Sequence, residues 1–274
     1  MSERHCASAG IVCLDRLYYT RRAKKWERTG YWLNAKITDR EQFERDVEKV
    51  CQVYLSAAIN ATLGIRTASV DEKTGIQALE RAAATKPMEP GKVERIEYNY
   101  ERHGTRNLFG NLDVATGKII VPKLHATRTA EDFADNIDAL VATAPEAQWV
   151  FVCDNLNTHF SVVLVMLVAI LCDIPLDSLG KIGKRGVLKS QTTRKAFLED
   201  TSHRIRFVYT PKHCSWLNQI EIWFSGLSRR VLQRGDFKSL KKLEEKILAY
   251  IQFYNQTEKP MKWKCEKMPQ KLKI

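Results

Sequence analysis

The run Gln148-Trp-Val-Phe-Val-Cys153 limits the fold more than any other part of the chain. After Gln148 it is wholly apolar, with no alternation, which is the pattern of a strand covered on both faces. Such a strand needs helices above and below it, so the run predicts an α/β architecture with this strand central in a mixed sheet. Asp154 and Asn155 follow at its carboxyl end. A second strand, Arg204–Tyr209, is stopped by Thr210-Pro211, because proline cannot donate to a sheet ladder. From Ser215 the period becomes helical, with Ile220, Phe224, Leu227 and Val231 on one face and Glu221 at its edge. Ser225 and Ser228 share the row of Glu221 and are small, which leaves its carboxylate approachable.

Earlier segments supply the remaining elements. Thr38 reads as an N-cap with Glu41 completing a capping box, opening a connector or packing helix to about Ala58 with Phe43, Val47, Val50, Val53 and Tyr54 as its stripe. Ile65–Val70 reads as a short strand that delivers Asp71 and Glu72 at its end. Gly75–Leu79 and an irregular proline-containing segment follow. Arg95–Tyr100, Asn107–Val114 and Lys118–Val121 then read as an antiparallel meander with a hairpin at Gly117. Ala130–Ala144 is an amphipathic helix, ended by Pro145. Phe160–Cys172 is too short to span a bilayer and suits a buried helix. A last helix runs from about Ser239 to Tyr254, before a basic tail from Lys259 to Lys273.

Charge narrows the partners. A formal net charge of +12 over 274 residues, with a pI near 9.4, points to a polyanion, and nucleic acid is the common one. Arg21-Arg-Ala-Lys-Lys25 is either a phosphate-contacting arm or a solvated segment. Lysines and arginines are dense again between Lys181 and Arg206. The seven scattered cysteines form no C-x-x-C pair, which argues against a zinc site or disulfide framework and for reduced thiols in the cytosol. The N-terminus has no signal-peptide pattern.

Three carboxylates stand out by position. Asp71 and Asp154 end strands, and Glu221 lies near the start of the helix after a third. Sites in open α/β sheets form outside the carboxyl ends of strands. Acids converging there, in a basic protein, suit magnesium or manganese, and two such ions can drive phosphodiester chemistry. Each acid also has a plain structural reading: a strand-ending turn for Asp71, an Asx turn for Asp154 and a surface charge for Glu221. Trp216 and Trp223 read as core.

Val70-Asp-Glu-Lys-Thr-Gly-Ile-Gln77, Cys153-Asp-Asn-Leu-Asn-Thr-His159 and Tyr209-Thr-Pro-Lys-His-Cys-Ser-Trp-Leu-Asn-Gln-Ile-Glu-Ile-Trp-Phe224, in this order, resemble the bacterial insertion-sequence transposases of the mariner superfamily, in particular the six-thirty family. The likeness runs from about residue 30 to the end and includes Tyr254-Asn255 and Pro260-Met-Lys-Trp263. It implies a ribonuclease-H-like fold, a five-stranded mixed sheet flanked by helices. It also implies a metal-binding catalytic triad of Asp71, Asp154 and Glu221, holding two Mg2+ (or Mn2+) ions with DNA. The implied reaction is cleavage at transposon ends followed by strand transfer, typically at a TA dinucleotide. Double-stranded DNA, a homodimer and a prokaryotic cytoplasm at the nucleoid are the implied partners and setting.

The resemblance sets residues 61–274 as the catalytic domain and 1–60 as an N-terminal segment with the connector helix. The helix-turn-helix modules of similar proteins have no convincing counterpart in that segment, so a catalytic portion or a truncated element is expected. Glu221 follows Asp154 by 67 residues, more than in mariner-type relatives, because a basic block at about 173–200 intervenes. That block is read as a DNA grip or a solvated loop. Candidate DNA contacts are Lys73, His159, Lys184, Arg185, Lys189, Arg194, Lys212 and His213. For the two histidines, capping a turn is an equal alternative. Two rival functions stay open: a non-catalytic DNA-binding relic of the same fold, and a plain metal nuclease without strand transfer.

Overall fold

The computed structural model describes residues 39–263, apart from 85, 96, 98, 213, 234, 258 and 259. The basic cluster at 21–25, Thr38, His213 and all but a few residues of the basic tail therefore lie outside the described residues.

Five strands form one sheet in the order β3-β2-β1-β4-β5. They are β1 (Ile65–Arg81), β2 (Tyr100–Asp113), β3 (Lys123–His125), β4 (Gln148–Cys153) and β5 (Ile205–Tyr209). β4 is parallel to both β1 and β5, while β1–β2 and β2–β3 are antiparallel. The mixed sheet, with an apolar β4 paired on both edges, is the architecture its sequence predicts, but the middle strand is β1 and β4 lies next to the edge.

Helices cover both faces. On one side Val70, Phe151 and Phe207 pack against α2 (Ala130–Val141) and α3 (Val162–Leu171). On the other, Val150, Val152 and Val208 meet Val50, Tyr54 and Ala57 of α1 (Arg40–Thr62). Further along that side, Leu108 and Leu112 pack on Ile220, Phe224 and Leu227 of α5 (Gln219–Leu227) and Leu243 of α6 (Leu240–Thr257). Each large apolar side chain fully withdrawn from water contributes about 1.5–3 kcal/mol. Of the two readings of α1, connector or packing helix, the second holds: it is part of the sheet's own packing. Its N-cap is Asp39, whose carboxylate accepts from the Gln42 N–H at 2.9 Å.

Several boundaries differ from expectation. β1 does not end at Asp71 but continues to Arg81, paired with β2. The pairing register shifts between Lys73 and Ile76, and Gly75 lies there with φ +65°. Glycine adopts that conformation freely, so the chain bulges where a stop was expected. Lys118–Val121 makes only an isolated bridge, Leu112 to Ile119, and the third strand forms later at Lys123–His125. The 173–200 block is folded: after short turns at Leu176–Leu179 and Val187–Lys189 it forms α4 (Gln191–Leu198), and Leu179, Leu188 and Leu198 enter the core. Cys153, Cys172 and Cys214 are free thiols. Among the described residues no helix is long and apolar enough to cross a membrane.

Candidate active site

Strand register brings the two aspartates together. β1 and β4 pair from Ile65–Gln148 to Ser69–Val152, and each aspartate lies two residues beyond that last pair. Equal offsets in parallel strands carry Asp71, on the face of Ser69, to the same end of the sheet as Asp154, whose charge reaches it. That face belongs to α1 and α5. Asp71 is buried, with 7% of its surface exposed, and Asp154 is half-buried.

Glu221 comes to this pair because α5 is fastened to β1. The Asn218 side-chain amide donates to the Val70 carbonyl and to Asp71 Oδ2, both at 3.1 Å. Ser69 Oγ donates to Asn218 Oδ1 and accepts from the Ile220 N–H at 3.0 Å. From α1, the Tyr54 hydroxyl donates to the Leu217 carbonyl at 3.0 Å and receives the Gln219 N–H. These bonds explain why the helix expected from Ser215 is split into a 3-10 turn at Ser215–Leu217 and α5 proper. Asn218, extended between them, spends its side chain on β1. Glu221 then falls in the first turn of α5, where the helix dipole favours a carboxylate.

Close approach depends on Gly110, the β2 partner of Asp71. A Cβ there would sit 2.6 Å from the Phe224 ring. Glycine lets α5 lie directly against the sheet at the level of the acids.

The electrostatics record the crowding. Burial pushes the Asp71 carboxyl up to about 7, and the charges of Asp154 and Glu221 add to the rise against His159 and the Glu72 N–H. Glu221 is also raised, by burial and by Asp154, with Lys73 opposing. Asp154 goes the other way: burial works against its charge, but the His159 contact and the Leu156 N–H outweigh it. The half-buried Lys73 ammonium loses basicity to burial and regains part of it from Glu221. The Asp154 charge raises the proton affinity of both Asp71 and Glu221, and three such oxygen donors are a fitting set for a hard divalent cation, which would replace the proton. Asp71, Glu72 and His159 also bring ligand atoms within 4.8 Å of one another.

The expected DNA contacts divide. Lys184, Arg185, Lys189 and Lys212 are exposed, while Lys73 lies beside Glu221. Arg194 donates through Nε to the Phe160 carbonyl at 2.8 Å and so braces the fold. His159 is fully buried, between Asp154 and Glu72, and is sealed from any phosphate, which corrects its place among the DNA contacts. Trp223 is core, but Trp216 keeps 38% of its surface exposed and is not. Sequence reasoning missed Ser69, Glu72 and Gly110 and gave Asn218 no role. One signal was readable: Thr67-Ala-Ser-Val-Asp71 alternates polar and apolar, so Ser69 had to share the face of Asp71.

Residues 66–244 match the family model for the DDE superfamily endonucleases. The chain belongs to that family. All three acids of this DDE endonuclease fall within the matched span. No curated protein matches it. Among solved structures it is similar to the Mos1 mariner paired-end complex with Mn, at 15% identity and a TM-score of 0.49 over 85% of this chain and 60% of that one. It is also similar to the catalytic domain of Mos1 mariner transposase, at 13% identity and 0.47, over 84% and 87%. The chain thus spans about 60% of the length of the first of these relatives.

Proposed function

We propose that this DDE endonuclease is the catalytic core of a DNA transposase, with Asp71, Asp154 and Glu221 as its metal-binding acids. The observation that carries the reading is the two-residue offset of both aspartates from the Ser69–Val152 pair, with Glu221 fastened above them by Asn218. Two Mg2+ or Mn2+ ions, when bound with DNA, would supply Lewis acidity for attack on a phosphodiester and for departure of the leaving oxygen. Asp71 and Asp154 would hold them from the sheet and Glu221 from α5. Lys73, beside Glu221, supplies a cation for a phosphate drawn into the site. The exposed Lys184, Arg185 and Lys189 supply an electrostatic grip on double-stranded DNA. The freed 3′-hydroxyl would then attack a target strand, in a homodimer that keeps two transposon ends together at a prokaryotic nucleoid.

The test is nicking of supercoiled DNA in Mg2+ or Mn2+ by the purified chain and by Asp154→Ala. Metal-dependent cutting that disappears in the variant supports the triad. Equal cutting by both proteins removes the site assignment. Precut ends then separate the enzymes: joined products mark a transposase, and hydrolysis alone marks a plain nuclease. Salt-sensitive binding with no cutting by either protein marks a DNA-binding relic.

A further inference from the structure

Glu72 follows Asp71 in β1, so its side chain leaves the sheet on the other face. There it is nearly sealed, with 4% of its side chain exposed, against His159 at 0%. His159 Nε2 lies 3.1 Å from Glu72 Oε1, and Nδ1 lies 2.8 Å from Asp154 Oδ1. The Leu156 N–H also donates to Asp154 Oδ1, at 2.8 Å. Among the described residues, no hydrogen bond falls on Asp154 Oδ2.

We propose that Glu72 and His159 are a positioning pair, which fixes the rotation of the Asp154 carboxylate so that Oδ2 faces the metal ion. This rests on the reading of Asp154 as a metal ligand. Both ring nitrogens are engaged by protein carboxylates, Nδ1 by Asp154 and Nε2 by Glu72, so neither is left over for an ion. The ring cannot turn away. The Phe133 ring packs on it at 4.2 Å between centroids, and the Tyr209 hydroxyl donates to the His159 carbonyl at 2.7 Å. Glu72 is then to His159 what outer carboxylates are to ligating histidines: the anchor that sets the ring. The grouping of Asp71, Glu72 and His159 supplies a ligand's holder and its anchor, not a separate cation site.

The test is Mn2+ binding to the full chain without DNA, followed by the electron paramagnetic resonance of free Mn2+, for wild type, Glu72→Ala, Glu72→Gln and Asp154→Ala. Expected is a weakening of about 10- to 100-fold in Glu72→Ala. Glu72→Gln, whose amide oxygen still accepts from Nε2, should recover most of it. Nicking at saturating Mn2+ should return toward wild type in both, because the ligands themselves are intact. The proposal is overturned if Glu72→Ala binds Mn2+ as wild type does. It is overturned equally if Glu72→Ala loses a bound ion and saturating metal restores nothing, since Glu72 would then be a ligand. Should Glu72→Ala not fold, unchanged affinity with restored nicking in Glu72→Gln supports the pair, and a lost ion there overturns it. Asp154→Ala binding Mn2+ as wild type does would instead bring down the metal reading beneath it.

Discussion

Asp71 and Glu72 are neighbours with the same functional group, and the sheet puts them to opposite uses. Asp71 faces α5 and two other carboxylates, and burial with their charges keeps its proton on up to about 7. Glu72 faces a sealed imidazole that shares it with Asp154. One side of β1 holds charge that only a cation can relieve. The other holds charge already paid in protein. The difference lies in strand parity and in what packs on each face, not in residue type.

The largest effect should come from breaking the first side. Asp71→Asn keeps the shape of the side chain and removes its charge, and metal-dependent nicking should fall below detection while the circular dichroism spectrum stays that of wild type. A variant that still cuts would mean that the open side is not the metal side.

The same variant sharpens the comparison through pH. In the unfolded chain Asp71 titrates near ~3.9, whereas in the metal-free fold it holds its proton up to about 7. The folded state therefore binds more protons between those values, and stability from this group is complete below about 4 and is lost as pH rises through about 7. A shift of this size corresponds to roughly 4 kcal/mol at most. Denaturant unfolding in metal-free buffer should therefore show Asp71→Asn gaining on wild type between pH 5 and pH 8. Added Mg2+ should reverse that gain at pH 8. A constant difference across pH would show that Asp71 is not crowded by its neighbours.

Much of this was legible in the sequence, for physical reasons. The apolar run of β4, the stop at Pro211 and the buried face Ile220, Phe224, Leu227 and Val231 each express one local rule, though Val231 falls in a π-helical turn beyond α5. β1 was ended at Val70, because the polar residues from Asp71 to Thr74 break the apolar pattern, whereas the strand runs on through the bulge at Gly75 to Arg81. His159 was misplaced because a polar residue near a site reads as a contact until its burial is known. Ser69, Asn218 and Gly110 act across 147 to 151 residues of chain or through a missing side chain, and no local pattern reports that.

Gly110 tests whether α5 must lie flat on the open side. In Gly110→Ala the new methyl would overlap the Phe224 ring, and overpacking of this kind costs about 1–3 kcal/mol. Lifting α5 also lifts Glu221, so nicking should fall by more than the stability loss explains. Adding Phe224→Leu should recover both, because the smaller side chain makes room. Recovery of stability without recovery of nicking would show that Glu221 is not positioned by this contact.

Ser69→Ala should have the smallest effect, and it separates fastening from folding. Ser69 Oγ serves two partners across the interface, the Ile220 N–H and the Asn218 side chain, both buried. Leaving them unmatched costs about 1–3 kcal/mol. Alanine fills nearly the same volume, so the core on the α2 side should not change, and hydrogen exchange in β4 and α3 should follow the global stability only. Exchange at the start of α5 should rise beyond that, because the lost bonds hold that turn alone. If α5 stays as protected as in wild type, the Asn218 bonds to Val70 and Asp71 suffice to hold Glu221. Ser69 would then owe its place on this face to strand parity and not to the site.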